Sequence, residues 1–309
     1  MLSNQISVHT GQPPRLTSHF GVPVREDVAF ANQKGAVKNG IRKHAEKLLD
    51  QLQEPLRRFL EPDEAVFSIA RARRMPSGFE QFFLGWHAMY LMPGVLIFTN
   101  KRLLHLFVRR DGSWNRSIRC ACWGDLEQAK AKGLLGARFT AKYRNGTKEV
   151  FSSLARHDTQ RMQLLLNTFL PSAVGESSPA LGMTSLCPDC RSPLTPGAYE
   201  CPNCHRAFKD EKTATQRSWL IPGGGFFYIG HPVMGILHAS GEIVLIWMVG
   251  FSLFLSSNVV PQRSGAASAP SARSEAFLLL ALFSGILVLN KFIMSVVARR
   301  QVRNYIPLT

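Results

Sequence analysis

Apolar residues recur at steps of three or four positions between residues 34 and 60, which is the spacing that gives a helix one apolar face. The recurring positions are Val37, Ile41, Ala45, Leu48, Leu52, Leu56 and Leu60. Pro55 is expected to kink the last turn. The pattern therefore predicts one amphipathic helix over 34–60. The preceding residues 1–33 are polar, aperiodic and marked by Pro and Gly, and we expect most of them to be disordered.

The pattern changes to short apolar or alternating runs between residues 64 and 155, which is typical of strands. The runs cover 65–72, 95–99, 103–108, 117–123, 137–143 and 148–153. Asp111-Gly112 and Asn145-Gly146 are pairs favoured in tight hairpin turns, because both central residues of such a turn need positive φ. A helical apolar stripe follows the last run. The region is therefore predicted to be an antiparallel meander closed by one helix.

Residues 82–99 form a stretch of 18 residues without a formal charge, close to the length of a membrane span. Gly85, Pro93 and Gly94 interrupt the stretch and argue against one long helix. Buried strands are therefore favoured over a span, which stays open as the alternative.

Two later segments, 233–255 and 276–297, are apolar enough to cross a membrane, since a span needs about 20 residues. The link between them is poor in basic residues, whereas basic residues precede the first segment and fill the tail, 300–309. The positive-inside rule places such basic flanks in the cytoplasm. Residues 219–299 are therefore predicted to form a two-helix transmembrane hairpin with both termini cytoplasmic.

A Pro-Gly-x-Gly-x-x-Tyr-x-Gly element precedes the first predicted span. Its residues are Pro222, Gly223, Gly225, Tyr228 and Gly230. The segment resembles the element that opens a widespread family of two-span membrane hairpins, whose members are mostly of unknown biochemical role. The resemblance implies a topology and little chemistry.

Two charges, Glu242 and Lys291, lie within the hydrophobic segments. Intramembrane charges are costly, so a pair across the hairpin is one interpretation. Lys291 lies near a predicted span end, and a lysine there can extend to the headgroups. Placement of both charges at the membrane interface is therefore favoured over a buried pair.

Four of the six cysteines occur in two C-x-x-C pairs, Cys187 with Cys190 and Cys201 with Cys204. The first residues of the chain lack the apolar core of a signal peptide, so we expect the polar part to stay in the reducing cytoplasm. Two such pairs in that compartment indicate a metal site, and four thiolates form a closed tetrahedral shell that suits a structural Zn²⁺. A rubredoxin-type iron site is the alternative.

The cysteine segment, 187–208, resembles the short zinc ribbons of many bacterial membrane and regulatory proteins. Those ribbons often have Gly after each pair, where this chain has Arg191 and His205. The preceding residues 171–186 are rich in Pro, Gly and Ser and are predicted to be a linker.

The chain has 37 basic and 21 acidic residues, a net charge of +16, which favours anionic partners such as nucleic acid or phospholipid headgroups. Because the charge shares a chain with apolar spans, lipid is the better candidate. Four basic residues near strand ends are candidate contacts to a lipid or a partner. They are Lys101, Arg102, Arg109 and Arg110. The alternative is that they are ordinary solvated charges.

The stretch 95–106 is similar to the strand-turn-strand of bacterial PH-like and GRAM-like domains, on Thr99, Asn100 and Arg102. The resemblance implies a PH-like barrel over 61–170, whose relatives bind phosphoinositides, peptides or no known ligand. The expected fold class is therefore multidomain α+β: a PH-like antiparallel meander or barrel with a C-terminal helix, a small zinc ribbon, and a two-helix transmembrane hairpin. The resemblances together imply the bacterial inner, cytoplasmic membrane.

The sequence contains no nucleophile elbow, no phosphate-binding glycine loop and no H-E-x-x-H motif, so an enzyme is not expected. We expect a non-enzymatic, membrane-anchored binding or scaffold protein whose PH-like domain contacts anionic lipid headgroups or a partner protein. One alternative is a membrane-tethered nucleic-acid-binding regulator, which the lack of a basic helix disfavours. The other is an oligomeric membrane protein with a transport-related role, since glycines in the spans could support helix packing.

Overall fold

The structure is a computed structural model that describes residues 16–31, 36–76, 93–133, 137–172, 177–258 and 272–308. The chain divides into two compact units, Met1–Ala207 and Phe208–Thr309. The first unit is a mixed α+β domain built on a large sheet, and the second consists of helices among its described residues.

Ten strands form the sheet of the first unit among the described residues. In chain order they are β1 (Leu16–His19), β2 (Val22–Arg25), β3 (Val66–Arg74), β4 (Pro93–Thr99), β5 (Arg102–Val108), β6 (Trp114–Cys122), β7 (Leu126–Lys132), β8 (Arg138–Tyr143), β9 (Lys148–Ser152) and β10 (Thr184–Leu186). Strands β3 to β6 form one antiparallel meander and β7 to β9 form another, and β9 pairs with β3. All six predicted runs are strands.

Four further strands were not predicted, and each has a local reason. Strand β7 buries Ala129 and Ala131, whose small side chains give a weak apolar pattern. Strands β1 and β2 have four residues each, and β10 has three. Strand β2 joins the sheet through one parallel pair, Val24 with Val66.

The prediction that residues 1–33 are mostly disordered is wrong for 16–31, the part that the structure describes. This segment forms the β1–β2 hairpin and a short helix, α1 (Glu26–Ala29). Val22 and Phe30 are fully buried in the apolar core, so the segment has enough apolar surface to be ordered by packing.

Two helices replace the single helix predicted over 34–60, namely α2 (Asn39–Gln51) and α3 (Gln53–Phe59). The break falls at Leu52. It places Pro55 in the first turn of α3, where a backbone N–H would have no partner within the helix. The prolyl ring therefore begins a new helix instead of kinking an existing one.

Both faces of the β3–β6 meander are buried. One face packs against α2, α3 and the β1–β2 hairpin through residues such as Ile97 and Leu104. The other face packs against β7 to β9 and against α4 (Arg156–Ser172) through residues such as Phe98 and Leu103. Binding to either face is therefore blocked, and ligands can reach this sheet only at strand ends and edges.

The predicted linker 171–186 is not a free connection over its described residues: 171–172 belong to α4, and 177–186 attach to the sheet domain. The backbone N–H and hydroxyl of Ser178 both donate to the carboxylate of Asp125, at 2.6 and 2.8 Å. The N–H of Asn145 donates to the Leu181 carbonyl at 3.1 Å. Strand β10 then pairs with β6. Backbone hydrogen bonds therefore attach this segment to the sheet. Such pairing cannot be recognised from the Pro, Gly and Ser content on which the linker prediction rests.

The uncharged stretch 82–99 is a strand over the part that is described. Residues 93–99 form β4, and all but Pro93 are buried. The rest of the stretch, 82–92, lies outside the described residues.

Four helices form the second unit. They are α5 (Glu211–Leu220), α6 (Gly224–Ile229), α7 (Pro232–Asn258) and α8 (Ala272–Val302). Helices α7 and α8 are long and apolar enough to cross a membrane, with mean hydropathies of 1.7 over Pro232–Ser257 and 2.2 over Ser274–Val302.

The end of the chain folds back onto the start of the second unit. The Lys209 N–H donates to the Ile306 carbonyl at 2.9 Å, and Phe208 pairs with Pro307. The rings of Phe208 and Tyr305 meet edge to face, 5.5 Å apart. The predicted tail 300–309 is therefore packed at 305–307 against the residues that precede α5.

The glycine element spans the turn before α6, α6 itself and the residue that ends it. Gly223 has φ of +65°, and a Cβ at this position would overlap the carbonyl oxygen of Gly235 on α7. Gly230 ends α6 with φ of +86°. Glycine is needed at both positions, since a side chain there would be strained.

Glu242 and Lys291 form a buried pair, which is the less favoured of the two interpretations of the sequence. Their Oε2 and Nζ atoms are 2.6 Å apart, with the residues 1% and 7% exposed. Asn290 donates to the carboxylate at 3.1 Å and the Gly223 N–H donates to it at 3.3 Å. Lys291 also donates to the Ile221 carbonyl at 3.3 Å. The turn thus supplies the backbone groups that satisfy the pair.

We expect Glu242→Gln and Lys291→Met each to destabilise the protein by about 3 kcal/mol, because each leaves one buried charge without its partner. The double variant should recover at least half of the summed loss, since neither charge then remains. Detergent-based unfolding of the purified full chain would measure this, with the exposed Glu275→Gln as the control. Losses that simply add in the double variant would contradict the pairing.

Candidate metal centre and arginine cleft

The two cysteine pairs have the same backbone geometry. In the first, the Cys187 N–H donates to the Ser192 carbonyl at 2.9 Å and the Arg191 N–H donates to the Cys187 carbonyl at 3.0 Å. In the second, Cys201 bonds in the same way to Arg206 and His205, at 2.9 and 3.0 Å. Each turn therefore directs two thiols to one side.

The four sulfur atoms meet at one point. The Sγ atoms of Cys187, Cys190, Cys201 and Cys204 all lie within 4.8 Å of one another. The separation is 3.6 Å between Cys187 and Cys204 and 3.4 Å between Cys190 and Cys201. An ion with four tetrahedral sulfurs at about 2.3 Å would hold them about 3.8 Å apart. The cluster therefore fits a four-thiolate metal ion, as the spacing predicts.

The thiols differ in their readiness to ionise. Burial raises the pKa of Cys187 to about 12. Hydrogen bonding with Ser192 lowers the pKa of Cys190 to about 5. Since metals bind thiolates, loading an ion would release the proton of Cys187.

The residues that follow the cysteine pairs have the backbone conformation that favours glycine. Arg191 has φ of +65° and His205 has φ of +56°. The chain therefore keeps the expected turn without the expected glycine, at some cost in backbone strain.

The metal centre is joined to the sheet. Residue Leu186 of β10 directly precedes Cys187 and pairs with Ile118 of β6. The Leu194 N–H donates to the Ser185 carbonyl at 2.9 Å, and the Arg58 guanidinium donates to the Asp189 carbonyl. The cluster is thus an extension of the sheet edge. The remaining cysteines, Cys120 and Cys122, lie on β6 and stay outside the cluster.

Two of the four predicted contact residues are held in ion pairs. Arg102 donates to both carboxylate oxygens of the buried Glu64, at 3.0 and 2.8 Å, and to the Phe59 carbonyl at 2.8 Å. Lys101 donates to Glu61 at 2.8 Å. These contacts fix the β4–β5 turn, which gives both residues a structural role.

The other two predicted contacts, Arg109 and Arg110, line a cleft of about 670 Å³ together with Arg71 and Arg73. Its remaining described lining residues are Ala72, Pro93, Gly94, Val108, Gly112 and Ser153. None of these described lining residues is acidic, so the described lining carries four positive charges and no negative one. Sequence reasoning missed Arg71 and Arg73, although the run 71–74 contains three arginines and follows an apolar strand.

A polar cluster inside the sheet domain was also missed. The Glu149 carboxylate contacts Arg74 at 2.9 Å, Arg119 at 2.8 Å and the Tyr143 hydroxyl at 3.3 Å. Although burial opposes it, the charges of Arg119 and Arg74 lower the pKa of Glu149 to about 2. These residues are far apart in sequence, and strand pairing brings them together.

His105 lies beside this cluster and is fully buried, with its ring 4.4 Å from that of Phe107 and 5.1 Å from that of Phe151. Neither ring nitrogen has a hydrogen-bond partner among the described residues. Burial lowers the pKa of His105 to about 3, so the ring is neutral near pH 7.

No protein-family model and no curated protein matches this chain. The structure itself shows a β-sheet domain, a four-cysteine cluster that could hold a metal ion, and two apolar helices that could span a membrane.

We expect Cys201→Ser to abolish binding of about one metal ion per chain, because three thiolates and a hydroxyl no longer form the closed shell. Loss of the ion should also speed amide exchange in β10 and in the facing part of β6. Elemental analysis and hydrogen exchange of the full chain would measure both. Cys120→Ser is the matched control, with unchanged metal content. Undiminished protection of β10 in the metal-free variant would contradict the coupling.

The buried His105 should make stability depend on pH. Its folded pKa is below the unfolded value, so its contribution is present above about pH 6.5 and is lost as pH falls toward about 3. Between about pH 7.5 and 5.5 the expected loss is about 1 kcal/mol. The variant His105→Leu should lack this part of the loss in unfolding measurements at the two pH values. Parallel pH profiles of the variant and the original chain would refute the assignment.

Proposed function

We propose that this protein is a non-enzymatic, membrane-anchored binding protein whose sheet domain takes the phosphate of an anionic lipid headgroup in the arginine cleft. The observation that carries the proposal is the set of four arginines, Arg71, Arg73, Arg109 and Arg110, in one cleft without an acidic residue in its described lining. Guanidinium groups suit phosphate because their planar donors match its oxygens.

The strand order supports a PH-like domain over 61–170. A four-stranded meander, a three-stranded meander and a closing helix follow one another, which is the plan expected from the resemblance. The arginine cleft lies at strand ends, between the end of β3 and the β5–β6 turn. This is where a sheet buried on both faces can still bind a ligand.

The second unit supports a membrane anchor. Helices α7 and α8 have the required length and apolarity, and the residues that follow the end of α8 contact Lys209, ahead of α5. Arg299, Arg300 and Arg303 lie at that end of α8. By the positive-inside rule this is the cytoplasmic end, so we propose a bacterial inner-membrane protein with both termini in the cytoplasm.

We further propose that the four-cysteine cluster holds a structural zinc ion, as in a zinc ribbon. Four thiolates leave no open position for water, which suits a structural and not a catalytic ion. Its role would be to close the loops that follow β10 and to stabilise the sheet edge.

The test uses the full chain in phosphatidylcholine nanodiscs, with binding of labelled phosphatidylglycerol or phosphatidylcholine vesicles as the measurement. We expect the anionic vesicles to bind more strongly. Replacing Arg71 and Arg109 by Gln should weaken their binding roughly tenfold or more, at about 1 kcal/mol for each cation near an anionic surface.

The matched control is Arg116→Gln with Arg138→Gln, which removes two exposed cations of the same unit outside the cleft lining. Little loss is expected from this control. Equal losses from both double variants would indicate diffuse attraction and contradict the cleft site. Tighter binding of a single-stranded oligonucleotide than of anionic vesicles would favour the nucleic-acid alternative.

A further inference from the structure

The ring of Tyr228, in the glycine element, contacts two cationic side chains in the second unit. The Arg217 guanidinium carbon lies 4.9 Å from the centre of the Tyr228 ring, and Lys209 Nζ lies 5.6 Å from it. Both distances are in the range of cation–π attraction. Both cations therefore contact the same ring.

The ring itself is held firmly. Its hydroxyl accepts from the Asp210 N–H at 3.1 Å and donates to the Asp210 carboxylate at 3.3 Å. The same carboxylate caps α5 by accepting from the Thr213 N–H at 2.8 Å. Asp210 is therefore engaged with the ring and the helix end. The next acid, Glu211, pairs with Arg303 at 2.9 Å.

Arg217 has no carboxylate partner among the described residues, and its side chain is exposed. Lys209 lies over the turn at Gly230, where the nearest heavy atom to an added Cβ would be Lys209 Nζ at 3.9 Å. The element thus contributes its tyrosine to the placement of the two cations.

An exposed apolar strip begins two residues after Arg217. Trp219, Leu220 and Ile221 are 43%, 80% and 49% exposed, and Phe227 is 42% exposed. A strip of this kind beside cations is unfavourable in water, but it matches the boundary between headgroups and acyl chains, where aromatic residues and cations are both favoured.

We infer that Arg217, Lys209 and the Tyr228 ring form a binding site for the headgroup phosphate of one anionic phospholipid. The two cations would face the phosphate, and Trp219 to Ile221 would contact the start of the acyl chains. The inference rests on the membrane-anchor part of the proposed function, and it is independent of the arginine cleft.

The test is native mass spectrometry of the full chain in a neutral detergent, with added phosphatidylglycerol or phosphatidylcholine as probes. The original chain should retain phosphatidylglycerol in preference. Arg217→Gln should lower that retention about fivefold, the effect expected of one cation near a phosphate. Lys212→Gln, which removes an exposed cation from another face of α5, is the matched control and should change little.

A second pair of variants keeps the test valid if Arg217→Gln folds poorly. Tyr228→Phe keeps the ring and should retain the lipid, whereas Tyr228→Leu should lose it. Equal retention of the two lipids, equal effects of Arg217→Gln and Lys212→Gln, or displacement of the lipid by inorganic phosphate at comparable concentration would each overturn the inference. A chain found in the supernatant after membranes are pelleted would instead refute the membrane anchor itself.

Discussion

Strands β3 to β6 have apolar side chains on both faces. The need to bury both faces determines where the other elements of the first unit pack. Apolar surface of that extent must be removed from water on both sides, so two separate covers are needed. The second meander and α4 form one cover, and the N-terminal hairpin with α2 and α3 forms the other. The N-terminal segment is therefore part of the domain and not an appendage to it.

The same constraint limits where chemistry can occur. With both faces covered, polar groups that must meet a ligand are left to strand ends and to the sheet edge. The arginine cleft lies at strand ends, and the four-cysteine cluster extends the edge at β10. Strand β10 has three residues, which is short for a stable edge strand. A metal ion that closes the loops after it would compensate for that weakness.

Sequence reasoning succeeds where the decisive neighbours are close in the chain. The two cysteine pairs have fixed spacing, and the long apolar runs of β4 and β5 show their burial directly. It fails where the contacts of a residue come from segments that are far away in the sequence. Glu149 meets Arg74 and Arg119 only because β9 pairs with β3 inside the domain, and Glu242 is satisfied by a turn near Gly223. A strand such as β7, which buries alanines, gives too weak a pattern to be recognised.

Because basic residues outnumber acidic ones, the position of each cation indicates whether it stabilises the fold or remains at the surface. With 37 basic and 21 acidic residues, at least 16 cations have no carboxylate of their own, since 37 minus 21 is 16. Carboxylates pair with cations whose roles are structural, as Glu64 does with Arg102 and Glu242 with Lys291. A buried cation without such a partner would be too costly, so the excess must stay near the surface. Four arginines share one cleft, so their mutual repulsion would be relieved by an anion bound there.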